Sequence, residues 1–159
     1  MPALREALEE AGFENVRTYV QSGNVVLETR TKPEQTARAV ERLIADRFDL
    51  EIPVVVRTKA ELERVATKNP LGKVAKDPKR YQVSFLDGRL DAATVKKLEA
   101  AVAGRERLVV DGREIYAWHD AGVARSKLWA ALAGTRLGVT ATARNWTTVE
   151  KLLELANDG

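Results

Sequence analysis

The chain has 159 residues, 45% hydrophobic and 31% charged, which suits one average domain or two small ones and excludes a disordered chain. Absence of cysteine excludes disulfides, thiolate metal sites and cysteine nucleophiles, and a single histidine excludes a multi-histidine metal site. The 26 basic and 23 acidic residues give a net charge of +3, an ordinary surface until its distribution along the chain is considered.

A helix opens the chain. Pro2 suits a first helical turn, Leu4, Ala7, Leu8 and Ala11 share a face, and Gly12 is a natural stop. Val16 to Gln21 and Asn24 to Glu28 read as strands joined around Ser22-Gly23. A second helix is expected from Pro33 to Arg47, with Ala37, Val40, Ile44 and Phe48 at helical spacing. Ile52-Pro53-Val54-Val55-Val56 reads as a strand, with Pro53 at its start or on an edge. Thr58 and Glu61 form a capping-box pattern for a short helix reaching Thr67.

Asn69-Pro70-Leu71-Gly72 and the Lys- and Asp-rich loop to Lys79 mark the boundary between two halves, 1–67 and 68–159. Tyr81 to Leu86 reads as a strand. The next helix is capped by Asp91, stapled by Leu90 against Val95 and closed near Gly104. Leu108 to Val110 and Glu114 to Trp118 make a hairpin around Asp111-Gly112. Gly122 to Ala133 is expected to be helical, and Thr147 with Glu150 caps a terminal helix from Val149 to Ala156. Both halves read as parts of a split β-α-β-β-α-β unit. The expected fold is therefore α+β, two tandem ferredoxin-like halves with antiparallel sheets, the first half missing its opening strand.

Charge separates the halves. Residues 1–67 hold 10 basic and 12 acidic residues, whereas 68–159 hold 16 and 11. From Ala121 to Val149 there is no carboxylate, yet the stretch carries Arg125, Lys127, Arg136 and Arg144. That asymmetry favours an anionic partner. Arg144 and Asn145, before the capped helix, have the chemistry of an anion site, with Trp146 available for stacking or for the core and Asn145 for an alternative helix cap. Arg125 and Lys127 flank Ser126 at a helix start and would seat a phosphate, although solvated helix charges explain them equally. Adjacent Ser126 and Lys127 do not face each other on a helix, so no nucleophile pair follows. Gln21, Ser22 and Asn24 form a polar cluster around a tight turn, where amides and a hydroxyl hold a ligand or serve the turn itself. His119 reads as a hairpin-edge residue. No G-x-S-x-G elbow, P-loop, dinucleotide fingerprint or EF-hand spacing occurs, so no catalytic residue, metal ligand or cofactor is assigned.

Several segments resemble one bacterial family, the domain of unknown function 1697. Thr18 to Val26 resembles its T-Y-[IV]-Q-S-G-N-V-[VI] hairpin, Asn69-Pro70 its N-P turn, and Lys79 to Leu86 its central strand. Arg125 to Leu128 and Ala143 to Val149 resemble its [GA]-R-S-K-L and T-R-N-W-x-T-V segments. The resemblance implies two ferredoxin-like α+β halves and brings no activity, substrate or cofactor. Family members usually open with a strand and loop resembling L-L-R-G-I-N-V-G-G. Met1 stands here where a methionine often precedes the first helix, so a downstream start or a lost segment is expected.

No apolar run approaches the roughly eighteen residues of a membrane helix, and no signal-peptide pattern follows Met1. The expectation is a cytoplasmic module that binds a nucleic acid or a phosphorylated molecule through its basic C-terminal segment. Gln21, Ser22, Asn24, Arg125, Lys127, Arg144 and Asn145 are the candidate ligand-binding residues. The alternatives are an enzyme acting on a small phosphorylated or carboxylated metabolite between the halves, and a subunit that forms a homodimer through an exposed sheet edge.

Overall fold

The computed structural model describes residues 2–19, 23–133 and 137–158. Gln21, Ser22 and Arg136 lie outside the described residues. The described chain forms six helices and two antiparallel sheets, an α+β architecture. It divides into two compact units, Met1–Glu63 with Lys151–Gly159, and Arg64–Glu150. The first crossing thus falls four residues before the 67/68 boundary read from the sequence, inside a helix rather than at the Asn69-Pro70 turn. The terminal segment groups with the first unit, which a division into two contiguous halves does not anticipate.

In the first unit, α1 (Pro2–Glu10), β1 (Glu14–Tyr19), β2 (Asn24–Glu28) and α2 (Pro33–Phe48) follow the expected order. The β1–β2 ladder pairs Tyr19 with Asn24 and Arg17 with Val26, with an irregularity before Arg17 where Asn15 adopts a φ of 49°. Leu8, Val16, Val40 and Ile44 form the core, and Val54 packs against it. The helical spacing seen in the sequence is the buried stripe of α2. α3 (Lys59–Lys68) begins with the anticipated capping box. The Thr58 N–H donates to Glu61 Oε1 at 2.9 Å, and the Glu61 N–H donates to Thr58 Oγ1 at 3.1 Å.

Ile52 to Val56 is not a strand. The chain runs from Asp49 to Thr58 without helix, turn, bend or ladder. Strand propensity in a β-branched run is realised only against a neighbour. Here the Val54 N–H donates to the Glu41 carboxylate of α2 at 2.9 Å instead.

The second unit holds β3 (Tyr81–Leu86), α4 (Ala92–Ala101), β4 (Arg107–Asp111), β5 (Glu114–Trp118), α5 (Lys127–Ala133), β6 (Ala141–Asn145) and the start of α6 (Trp146–Asn157). Its sheet has the order β4-β5-β3-β6, every neighbour antiparallel. Asp91 caps α4 as expected, its Oδ1 accepting the Thr94 N–H at 2.7 Å. β3 is buried along its whole length. Leu86, Leu98, Ile115, Ala117, Leu128, Leu132 and Leu137 make the core on one face of the sheet.

Four details differ from the sequence reading. β6 was not anticipated, because Ala141-Thr142-Ala143-Arg144-Asn145 offers no large apolar alternation. α5 begins at Lys127 rather than Gly122. α6 begins at Trp146, with Asn145 as its cap: Oδ1 accepts the Thr148 N–H at 2.9 Å, so Thr147 and Glu150 lie inside the helix. The β4–β5 turn is Gly112-Arg113, because Asp111 pairs with Glu114. Gly112 has a φ of 59° and Arg113 lies outside the positive-φ residues, the type II′ pattern that Gly favours at its first central position.

Candidate functional site

The candidate residues are distributed over both units. Asn24, in the first, is buried and closes its turn by donating from Nδ2 to the Tyr19 carbonyl at 3.3 Å. Arg125, Lys127, Arg144 and Asn145 belong to the second unit. Asn145 is occupied in capping α6. Arg144 is on β6 opposite Val83, not in a loop before a helix. Directly opposed residues share a face, so Arg144 lies on the sheet face of Val83 and Tyr116. Its Nη1 donates to Thr142 Oγ1 at 2.7 Å and to the Ala143 carbonyl at 2.8 Å. Burial lowers its pKa, by disfavouring the charged form.

Arg125 and Lys127 are exposed on either side of Ser126. Neither makes an ion pair with a described residue, whereas Arg5, Arg38, Arg47, Lys68, Arg80 and Lys151 each face a carboxylate. Between them, Ser126 Oγ accepts the Trp129 N–H at 3.0 Å and caps α5.

Ser126 also joins a buried polar cluster that sequence reasoning missed. His119 Nδ1 lies 3.0 Å from Glu106 Oε2 and 3.1 Å from Ser126 Oγ, and the Ser126 hydroxyl donates to Glu106 Oε2 at 2.5 Å. Glu106 Oε1 accepts the Ala103 N–H at 3.2 Å. His119 is fully buried, with Trp129 edge-on to its ring at 5.8 Å. Burial pushes the Glu106 carboxyl up, but hydrogen bonds from Ser126, His119 and Ala103 outweigh it and the net pKa is lowered.

The signal for this cluster was the hairpin register. With Arg107 opposite Trp118, the next positions outward are Glu106 and His119. A turn at Asp111-Gly112 would have opposed His119 to Gly104 and hidden the pair.

The cluster lacks the geometry of a nucleophilic relay. A relay places the hydroxyl on one ring nitrogen and the carboxylate on the other. Here both sit on Nδ1, and Nε2 is buried without a hydrogen-bond partner among the described residues. The carboxylate makes Nδ1 the proton-bearing nitrogen, so the cluster orders the end of the core rather than activating Ser126.

The aromatic residues of β3 are likewise structural. Tyr81 and Phe85 are 2% and 6% exposed, and Trp146 stacks on Tyr81 with ring centres 4.6 Å apart, so this pair is not a platform for a nucleic acid base. The Tyr81 hydroxyl donates to Asn69 Oδ1 at 3.0 Å and accepts the Leu71 N–H at 3.3 Å. Burial raises its pKa. Two surface depressions of about 300 and 470 Å³ lie on the first unit, one against α1 and one between α1 and α2, and no candidate residue lines them. No described helix is long and apolar enough to cross a membrane.

Comparison with solved structures finds the same fold in a conserved bacterial protein, SP0830 from Streptococcus pneumoniae. The TM-score is 0.78 at 21% identity, over 98% of this chain and 88% of that one. Comparison with curated proteins gives no match. Residues 1–116 match the family described as Protein of unknown function (DUF1697), a range that takes in the Thr18–Val26 hairpin, the Asn69-Pro70 turn and the whole of β3. The chain therefore belongs to the DUF1697 family.

Proposed function

We propose that the protein is a cytoplasmic binding module for a phosphate-bearing polyanion, taken up by the second unit through Arg125 and Lys127 with Arg144 as a further contact. The observation that carries this reading is a pair of exposed cations without ion-pair partners among the described residues, inside a segment with no carboxylate from Ala121 to Val149. Unpaired cations of one sign attract an anion without first breaking an internal pair. The order β4-β5-β3-β6 around β-α-β-β-α-β connectivity supports reading the second unit as ferredoxin-like, with the first unit as its reduced counterpart.

The test is fluorescence anisotropy of short labelled RNA and single-stranded DNA against the full chain over a salt series. A polyanion site predicts log affinity falling linearly with log salt, at a slope of about −0.7 per phosphate neutralised on a single strand. Absence of binding at low salt by a folded sample overturns the reading.

A further inference from the structure

In the second unit, Tyr81, Phe85, Tyr116, Trp118 and Trp146 are at most 8% exposed, whereas Trp129 on α5 stays partly in solvent. A tryptophan taken into a core normally pairs its indole N–H. The Trp129 indole N–H has no acceptor among the described residues. Yet the buried side-chain polar atom left without a partner among them is His119 Nε2, so the indole nitrogen reaches solvent. The ring is also held in place. His119 meets it at 86° with ring centres 5.8 Å apart, and His119 is itself fixed by Glu106 and Ser126. Ser126 stands between Arg125 and Lys127 and accepts the Trp129 backbone N–H at 3.0 Å. The indole therefore leaves the chain within one turn of the two cations that lack an ion-pair partner among the described residues.

We infer that Trp129 is a base-stacking residue of this site, so that its ligand is a single-stranded nucleic acid rather than phosphate groups alone. The inference rests on the phosphate-binding reading of Arg125 and Lys127 proposed above. A basic segment with an aromatic ring is the chemistry that recognises unpaired strands: the cations track phosphates, and the ring takes a base of any identity. Bases inside a duplex are already stacked and offer the ring no free face. Fixing the indole against His119 lowers the ordering cost that a loose surface side chain would incur on binding. Its free N–H adds a donor for a base or phosphate oxygen. No carboxylate from Ala121 to Val149 opposes the phosphates.

Anisotropy of the full chain tests this with two labelled single-stranded DNAs of equal length, one carrying bases and one wholly abasic. The base-bearing strand is expected to bind about fivefold or more tightly than the abasic one. Trp129→Leu, its folding checked by circular dichroism, should erase that difference and leave abasic binding unchanged. Stacking releases no counterions, so the salt slope should stay as in the wild type, whereas Arg125→Ala makes it shallower. A collapsed local structure would instead disturb the slope. Should Trp129→Leu fail to fold, indole fluorescence decides: quenching by the base-bearing strand alone, lost in Trp129→Phe, is expected. Equal affinity for the two strands, or a base preference that survives Trp129→Leu, overturns the inference while the phosphate site stands. No binding of either strand overturns both.

Discussion

Replacing Glu106 with alanine removes one acceptor group from three donors: the Ala103 N–H at 3.2 Å, the Ser126 hydroxyl at 2.5 Å and His119 Nδ1–H at 3.0 Å. Ala103 is exposed, so water replaces that bond, and the hydroxyl is free to rotate while Oγ keeps the Trp129 N–H. His119 is 0% exposed, and without Glu106 its Nδ1–H keeps only Ser126 Oγ, 3.1 Å away, as an acceptor. Each hydrogen bond lost or replaced costs about 0.5–1.5 kcal/mol. For three bonds the expected loss is thus about 1.5–4.5 kcal/mol, a large share of the stability of a domain this size. Urea unfolding at neutral pH measures it, with an unchanged slope showing that stability alone has moved. The pH dependence gives a second reading with a defined sign. Because the native carboxyl is lowered from 4.5, its contribution is fully present above that value and is lost as pH falls through the native pKa. The gap between wild type and Glu106→Ala should therefore narrow on acidification below 4.5. A loss under about 0.5 kcal/mol at neutral pH, within the usual range for an uninvolved surface change, or a gap constant into acid, would refute the cluster as described.

Other expectations follow from the same geometry. Ser126→Ala should cost about 1–2 kcal/mol as a lost helix cap, and its effect should be non-additive with Glu106→Ala in a double-mutant cycle. Trp146→Ala removes the ring stacked on Tyr81 and should cost about 3–5 kcal/mol by thermal or urea unfolding. Tyr81→Phe keeps the stack but leaves Asn69 and the Leu71 N–H without the hydroxyl, and should cost about 1–2 kcal/mol. Arg125→Ala and Lys127→Ala should each leave stability within about 0.5 kcal/mol, whereas Arg144→Ala should also lower the melting temperature, because its guanidinium ties Thr142 to Ala143.

The parts of the fold legible in the sequence are those where a local signal and burial agree. Thr58 with Glu61 and Asp91 ahead of α4 announce helix starts that need no distant partner. The segment from Tyr81 to Leu86, with Tyr81, Val83 and Phe85 in alternation, announces a strand. β6 is different: it is a strand because β3 is buried on both faces and needs a neighbour on its open edge, and nothing in Ala141–Asn145 states that requirement locally. Ile52–Val56 is the converse, strong propensity without a partner. The Glu106–His119 pair depends on whether Asp111 or Gly112 opens the turn, a difference of one residue that moves every opposed pair. Of the candidate site, the basic segment was visible as a charge pattern. Asn145 as a cap is a reading its residue type offers locally, and the structure takes it; the employment of Arg144 within a strand follows from tertiary placement that no single motif encodes.

The account stands most directly on the specificity of the charges at 125 and 127. Arg125→Ala/Lys127→Ala and the control Arg5→Ala/Arg38→Ala remove the same net charge, but the control residues are each held in an ion pair on the first unit. Anisotropy of a labelled single-stranded RNA over a salt series should show weakened binding and a slope shallower by about 1.4 for the first double variant only, taking about 0.7 for each lost phosphate contact. Equal behaviour of the two variants would reduce the interaction to net charge and contradict the site.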